Sequence, residues 1–79
     1  MITETGVMIV KDGKGWGVVY DDGRSKTEGW VDMDKAEIHE PKYMIQPTDA
    51  TYKGSHDEQE LKLGKIIKVR RTITIEEIA

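Results

Sequence analysis

The sequence predicts a mainly β fold in a single small domain, and three observations carry that prediction. Two Asp-Gly pairs, Asp12-Gly13 and Asp22-Gly23, each separate stretches in which apolar residues alternate with polar ones or glycine. Asp-Gly suits the positive-φ positions of a two-residue hairpin turn. The C-terminal run "KIIKVRRTITIEEI" is rich in β-branched residues and alternates along its length. The chain has 79 residues, 37% apolar and 34% charged, values that fit one folded domain over residues 1–79 rather than a disordered chain.

Type I′ turns at both Asp-Gly pairs set a register by counting outward. Around the first, Lys11 faces Lys14, Val10 faces Gly15, Ile9 faces Trp16, Met8 faces Gly17 and Val7 faces Val18. Around the second, Asp21 faces Arg24, Val18 faces Thr27, Trp16 faces Gly29 and Gly15 faces Trp30. The segments Thr5–Lys11, Lys14–Asp21 and Arg24–Asp32 then form a three-stranded antiparallel meander. Each tryptophan lies across from a glycine, so its indole can fold over bare backbone.

Because strand side chains alternate, this register puts Val7, Ile9, Trp16, Val18, Tyr20, Thr27 and Val31 on one face, the expected core. Met8, Val10, Val19 and Trp30 fall on the other, mixed with Arg24, Lys26 and Glu28. One tryptophan is thus expected to look inward and the other outward.

From Met33 to Pro47 the pattern dissolves. Two prolines and no clean period predict a short helical turn near Asp34–Glu37 followed by a loop. "TDATY" alternates as a short strand. "GSHDEQELKLG" offers Ser55 as N-cap, Glu58 three residues on, acids in the first turn and Gly64 as a stop, which predicts a short helix; a long hairpin arm is the rival reading. In the last run Ile67, Val69, Ile73 and Ile75 share a face, and Lys68, Arg70, Thr72 and Thr74 share the other. Arg71 falls on the apolar side, where a bend, a bulge or a barrel mouth lets its head reach water. The sum is a small twisted antiparallel sheet or half-open SH3-like or OB-like barrel of about five strands with one short helix. A three-stranded sheet with a helix against it is the alternative.

Catalytic groups are scarce. The chain has no cysteine, which excludes thiol nucleophiles, thiolate metal sites and disulfides, and no G-x-S-x-G elbow is present. "GKGWG" precedes no helix that could cradle a phosphate. "DMDKAE" lacks the glycine and the distal glutamate of a calcium loop. His56-Asp57-Glu58 is better read as a helix start, with acids favoured by the macrodipole, than as a metal site. A non-enzymatic protein with no cofactor and no metal is expected. "MITETGVMIV" has no secretion-signal pattern, and nothing approaches the roughly 18 apolar residues of a membrane span; a cytoplasmic, membrane-free setting follows.

Binding is the remaining class. Trp30 with Met8, Val10 and Val19 makes an apolar cluster ringed by charges, as expected of a protein-binding surface, unless the helix or the last strand covers it. The basic run Lys62, Lys65, Lys68, Arg70 and Arg71 is the nucleic-acid alternative, since barrels bind single strands with basic grooves and stacking aromatics. The net charge of −3 weighs against it. A barrel mouth holding Arg71 offers a third reading, sequestration of a small ligand such as a nucleotide. Exposed strand edges and a small core predict a homodimer, through the Trp30 face or the strand Lys65–Ile78.

The strings "KGWGVVYDDGRS", "GW", "IHEPKY", "PTDATYKGS" and "EL" before "GKIIKVRRT" resemble small accessory proteins of tailed phages and prophages, over roughly Lys14 to Thr72. The resemblance implies a setting, the cytoplasm of a bacterial host, and a mode of action. Such proteins, anti-CRISPR and other anti-defence proteins among them, bind a host protein stoichiometrically. It carries no active-site motif and assigns no residue.

Overall fold

The computed structural model describes residues 2–21, 25–52 and 54–73. Four strands, β1 (Ile2–Lys11), β2 (Lys14–Asp21), β3 (Ser25–Asp32) and β4 (Lys65–Ile73), form one open antiparallel sheet in the order β3-β2-β1-β4. One short helix, α1 (His56–Leu61), and 3₁₀ turns at Pro41–Tyr43 and Pro47–Ala50 complete the chain's regular structure among the described residues. The mainly β class with a single short helix is therefore as expected.

The first hairpin begins as its turn chemistry dictates. Asp12 and Gly13 both have positive φ, 51° and 79°, as a type I′ turn requires, and Val10 pairs with Gly15 and Lys11 with Lys14. The expected pairs further out do not form. Instead the segment after β3 wedges between β1 and β2. His39 exchanges both backbone bonds with Val7, at 2.9 and 2.8 Å, and the Glu37 N–H donates to the Trp16 carbonyl at 3.1 Å. Gly15 makes room for this insert, since a Cβ there would sit 2.5 Å from the Ala36 Cβ. The turn expected at Asp34–Glu37 lies one residue earlier, at 33–36, and the loop expected after it is present, with one bridge residue, His39.

The second hairpin differs by one residue. Val19 faces Thr27, Gly17 faces Gly29 and Trp16 faces Trp30, so three residues, not two, separate the paired ends of β2 and β3. The Asp22-Gly23 turn itself lies outside the described residues. That single residue carries Trp30 and Val31 to the faces opposite the expected ones: Trp30 joins Trp16, and Val31 joins Met8 and Val10.

β4 pairs with β1 along its whole length, from Ile2↔Ile73 to Val10↔Lys65. The expected positions Thr74 and Ile75 lie outside the described residues. The helix expected after Ser55 is present. Its start is tied differently from a capping box: Ser55 Oγ bonds Thr51 Oγ1 at 2.9 Å, and the Gly54 N–H donates to Glu58 at 2.7 Å. The strand expected over "TDATY" is replaced by the 3₁₀ turn Pro47–Ala50. Pro47 opens that turn, and the Asp49 carboxylate accepts the N–H groups of Ile45 and Gln46 at 2.8 and 2.9 Å. Those local bonds satisfy the backbone without a neighbouring strand.

The core lies on both faces of β1. Val7, Ile9 and Trp16 pack with Met44 and Leu61 on one face, with Trp30, Ala50 and Ile66 at the margin. Met8, Val10 and Ala36 pack on the other, with Val31, Ile38, Ile67 and Val69 at the margin. The covering segment 41–63 roofs the first face, and the segment 33–38 roofs the second.

Candidate functional site

Trp30 is half-buried and held by several neighbours. Its ring meets Trp16 edge-on, centroids 5.0 Å apart and planes at 78°, a favoured aromatic geometry. Its indole N–H donates to Glu60 Oε1 at 2.8 Å, and the Lys11 ammonium donates to the same oxygen at 2.8 Å while lying 5.4 Å over the Trp30 ring. The Lys11 hydrogen bond, then that of Trp30, and then the Lys11 charge hold the Glu60 carboxyl below its ordinary range. Gly64 completes the seat, because a Cβ there would come within 2.8 Å of the Trp30 ring. This node ties α1 to β1 and β3.

The four residues expected to form one partner-binding cluster are not brought together. Met8 and Val10 are buried in the second core, Trp30 is half-buried on the opposite face, and Val19 is exposed. The basic run separates in the same way. Arg71 Nη1 donates to the carbonyls of Met33, Asp34 and Ala36 at 3.1, 2.9 and 2.8 Å, and Nη2 pairs with Glu4 at 2.8 Å. It fastens the turn after β3 to the β1–β4 pair; no bulge or open mouth is involved. Lys62 reaches Glu58 at 4.0 Å. Lys65 stands at the Val10 end of β4. Lys68 and Arg70 are exposed on the other face of β4, with no ion-pair partner among the described residues.

Two concavities flank that stretch of β4. A groove of about 570 Å³ is lined by Thr5, Gly6, Pro41, Lys68, Val69 and Arg70. On the opposite face a groove of about 390 Å³ is lined by Met8, Met33, Asp34, Val69, Arg70 and Arg71. A third groove, about 740 Å³, opens beside β2 and β3, where Val18 and Tyr52 sit among the carboxylates Glu28, Glu37, Asp49 and Asp57. Carboxylates thus gather at the groove beside β2 and β3, and cations predominate at the two beside β4. Among the described residues no group of three or more His, Asp or Glu side chains is placed to hold a metal ion, and no helix is long and apolar enough to cross a membrane.

The covering segment carries a surface that alternation within strands does not reveal. Tyr43, Ile45, Tyr52 and Leu63 are 69%, 86%, 88% and 64% exposed. Their neighbours Met44, Ala50 and Leu61 point into the first core. The signal in the sequence is "YMI", where the central residue anchors and both flanks are left outside. Compared with known proteins, the chain matches no family model, no curated protein and no solved structure.

Proposed function

We propose that this chain is a non-enzymatic binding protein that attaches stoichiometrically to another protein, in the manner of a phage or prophage accessory protein acting on a host protein. The observation that carries the reading is the outward side of the covering segment. Tyr43, Ile45, Tyr52 and Leu63 stand largely exposed on a layer whose inner side is anchored in the core. Tyr43 and Ile45 flank the single anchor Met44, so two large exposed side chains stand close together, and exposed apolar groups that cluster mark contact surfaces. Tyrosine is among the residues that most often dominate binding energy. Anchoring through Met44 and Leu61 preorganises the layer, so less ordering entropy is lost on association.

The test is affinity capture from bacterial lysate with the wild-type protein and an Ile45→Asp/Tyr52→Asp variant. Both positions are exposed enough that the variant should melt within a few degrees of wild type. A partner held at one-to-one stoichiometry by wild type and lost by the variant is the expected result. Equal recovery by both proteins would move the interface elsewhere, and recovery of nothing by wild type would overturn the reading.

A further inference from the structure

We infer that β4 is a strand-accepting edge, and that its occupant is an extended peptide segment of a partner protein in which acidic and apolar residues alternate. The surface borders the covering segment at Pro41 but uses none of Tyr43, Ile45, Tyr52 and Leu63. β4 is nine residues long and ends the sheet. Which of its backbone groups face outward follows from β1. Val7 spends both its N–H and its C=O on His39, so the facing pair Val7↔Lys68 is the non-hydrogen-bonded kind. Antiparallel pairs alternate. The N–H and C=O groups of Ile66, Lys68, Arg70 and Thr72 therefore point away from β1, toward the open edge.

An antiparallel strand added there would bond to Lys68 and Arg70 and place the residues opposite them on the same face as those two cations. That is the face of the groove lined by Thr5, Pro41, Lys68 and Arg70. Its two cations have no ion-pair partner among the described residues, so carboxylates at those positions complete them. The intervening residues of the incoming strand would turn to the other face, over the groove where Met8, Met33 and Val69 offer apolar contact beside Asp34, Arg70 and Arg71. Both grooves share Val69 and Arg70, which places them on either side of one stretch of edge. Main-chain bonds that supply affinity, with pockets for alternate side chains that supply specificity, are the two requirements of strand addition. Like charges at Lys68 and Arg70 also keep the edge from pairing with a second copy of itself, a usual protection for an exposed strand.

The experiment is fluorescence anisotropy of the full chain with a short labelled peptide alternating valine and glutamate. A valine–lysine peptide and a labelled single-stranded oligothymidylate are the controls. Saturable binding of the valine–glutamate peptide is expected, with affinity reduced about tenfold or more by Lys68→Glu/Arg70→Glu, as two lost exposed ion pairs and new repulsion imply. Circular dichroism and melting of that variant should match wild type, since both side chains are exposed. N-methylation of the glutamates, whose N–H groups face β4 in this register, should abolish binding. N-methylation of the valines should leave it unchanged. Equal effects of the two methylations, equal binding of the valine–lysine peptide, or no binding of the valine–glutamate peptide would overturn the proposal. Tighter binding of the oligothymidylate would reassign the edge to a phosphate backbone. Ile45→Asp/Tyr52→Asp should leave peptide affinity unchanged, which separates failure of this proposal from failure of the lysate experiment.

Discussion

Glu60 joins more of the molecule than its place on a six-residue helix suggests. One of its oxygens takes hydrogen bonds from a lysine in β1 and a tryptophan in β3. Its carboxyl is held below the ordinary value of 4.5. A carboxyl whose folded value is depressed contributes stability that is present above the ordinary value and lost as the pH falls through the lower, folded one. Asp32, lowered mainly by the hydrogen bond and charge of Lys14, and Asp49, lowered by the backbone N–H groups of Gln46 and Ile45, act in the same direction. Glu60→Gln should therefore melt lower than wild type at neutral pH, and the gap should narrow on acidification below about pH 4.5. Melting curves across that range check it, and a pH-independent gap would remove the ionic share of the node. Trp30→Phe, which keeps an aromatic ring but loses the N–H donor and the pyrrole half of the indole, should cost about 1–3 kcal/mol by denaturant titration.

At the scale of elements, the insert after β3 is held by two devices. Arg71 ties three of its carbonyls to Glu4, a task that needs the planar, many-donor guanidinium. Arg71→Lys keeps the charge and loses the fork, so it should destabilise by about 1.5–3 kcal/mol, the range for hydrogen bonds to charged groups. Gly15 is the second device. Gly15→Ala would drive a methyl into Ala36 and should cost about 1–3 kcal/mol through overpacking. Equilibrium unfolding of the two variants measures both. If Gly15→Ala is neutral, the insert yields and the contact is not tight. On the other face, Leu61 is fully buried and anchors α1, and Leu61→Ala should cost about 2–5 kcal/mol.

At the scale of the whole molecule, both routes to self-association expected from the sequence are disfavoured. The Trp30 face, one of the two expected to pair in a homodimer, is roofed by α1 and bonded to Glu60. The other is the β4 edge. A two-fold axis through Val69 would set Lys68 of one chain against Arg70 of its copy, on one face and in adjacent strands, which is unfavourable. Light scattering should report the mass of one chain for wild type. Lys68→Glu turns that repulsion into two symmetry-related attractions and should shift the mass toward two chains at high concentration. A wild-type dimer that Lys68→Glu leaves unchanged would place the contact elsewhere.

Much of this architecture is legible in local pattern. Asp12-Gly13 specifies its turn because few residues tolerate two positive φ values in succession, and β4 declares itself by alternation and β-branching. Ser55 to Gly64 marks a helix by its start and stop signals. "VMIV", residues 7–10, carries four apolar residues in a row, as a strand buried on both faces does, yet alternation alone put Met8 and Val10 on the outward face, and only the structure shows them buried. What local pattern leaves open is the side on which each set of residues ends. Alternation orders side chains relative to their own strand; loop length sets the strand against its neighbour. One additional residue between β2 and β3 carried Trp30 from the expected exposed face to the core, and the cluster with Met8, Val10 and Val19 dissolved with it. Arg71, read as a charge seeking water, found three carbonyls and a carboxylate supplied by residues more than thirty positions away. Segment 36–39 and the 3₁₀ turn at Pro47 have no period of their own, so their conformation was decided by what they pack against and which backbone groups needed partners. Local pattern in the sequence was enough for the four long strands and the helix, though not for "TDATY", because turns, caps and alternation act within a few residues. The tertiary structure decided which side chains meet, because that depends on contacts the chain makes only with distant parts of itself.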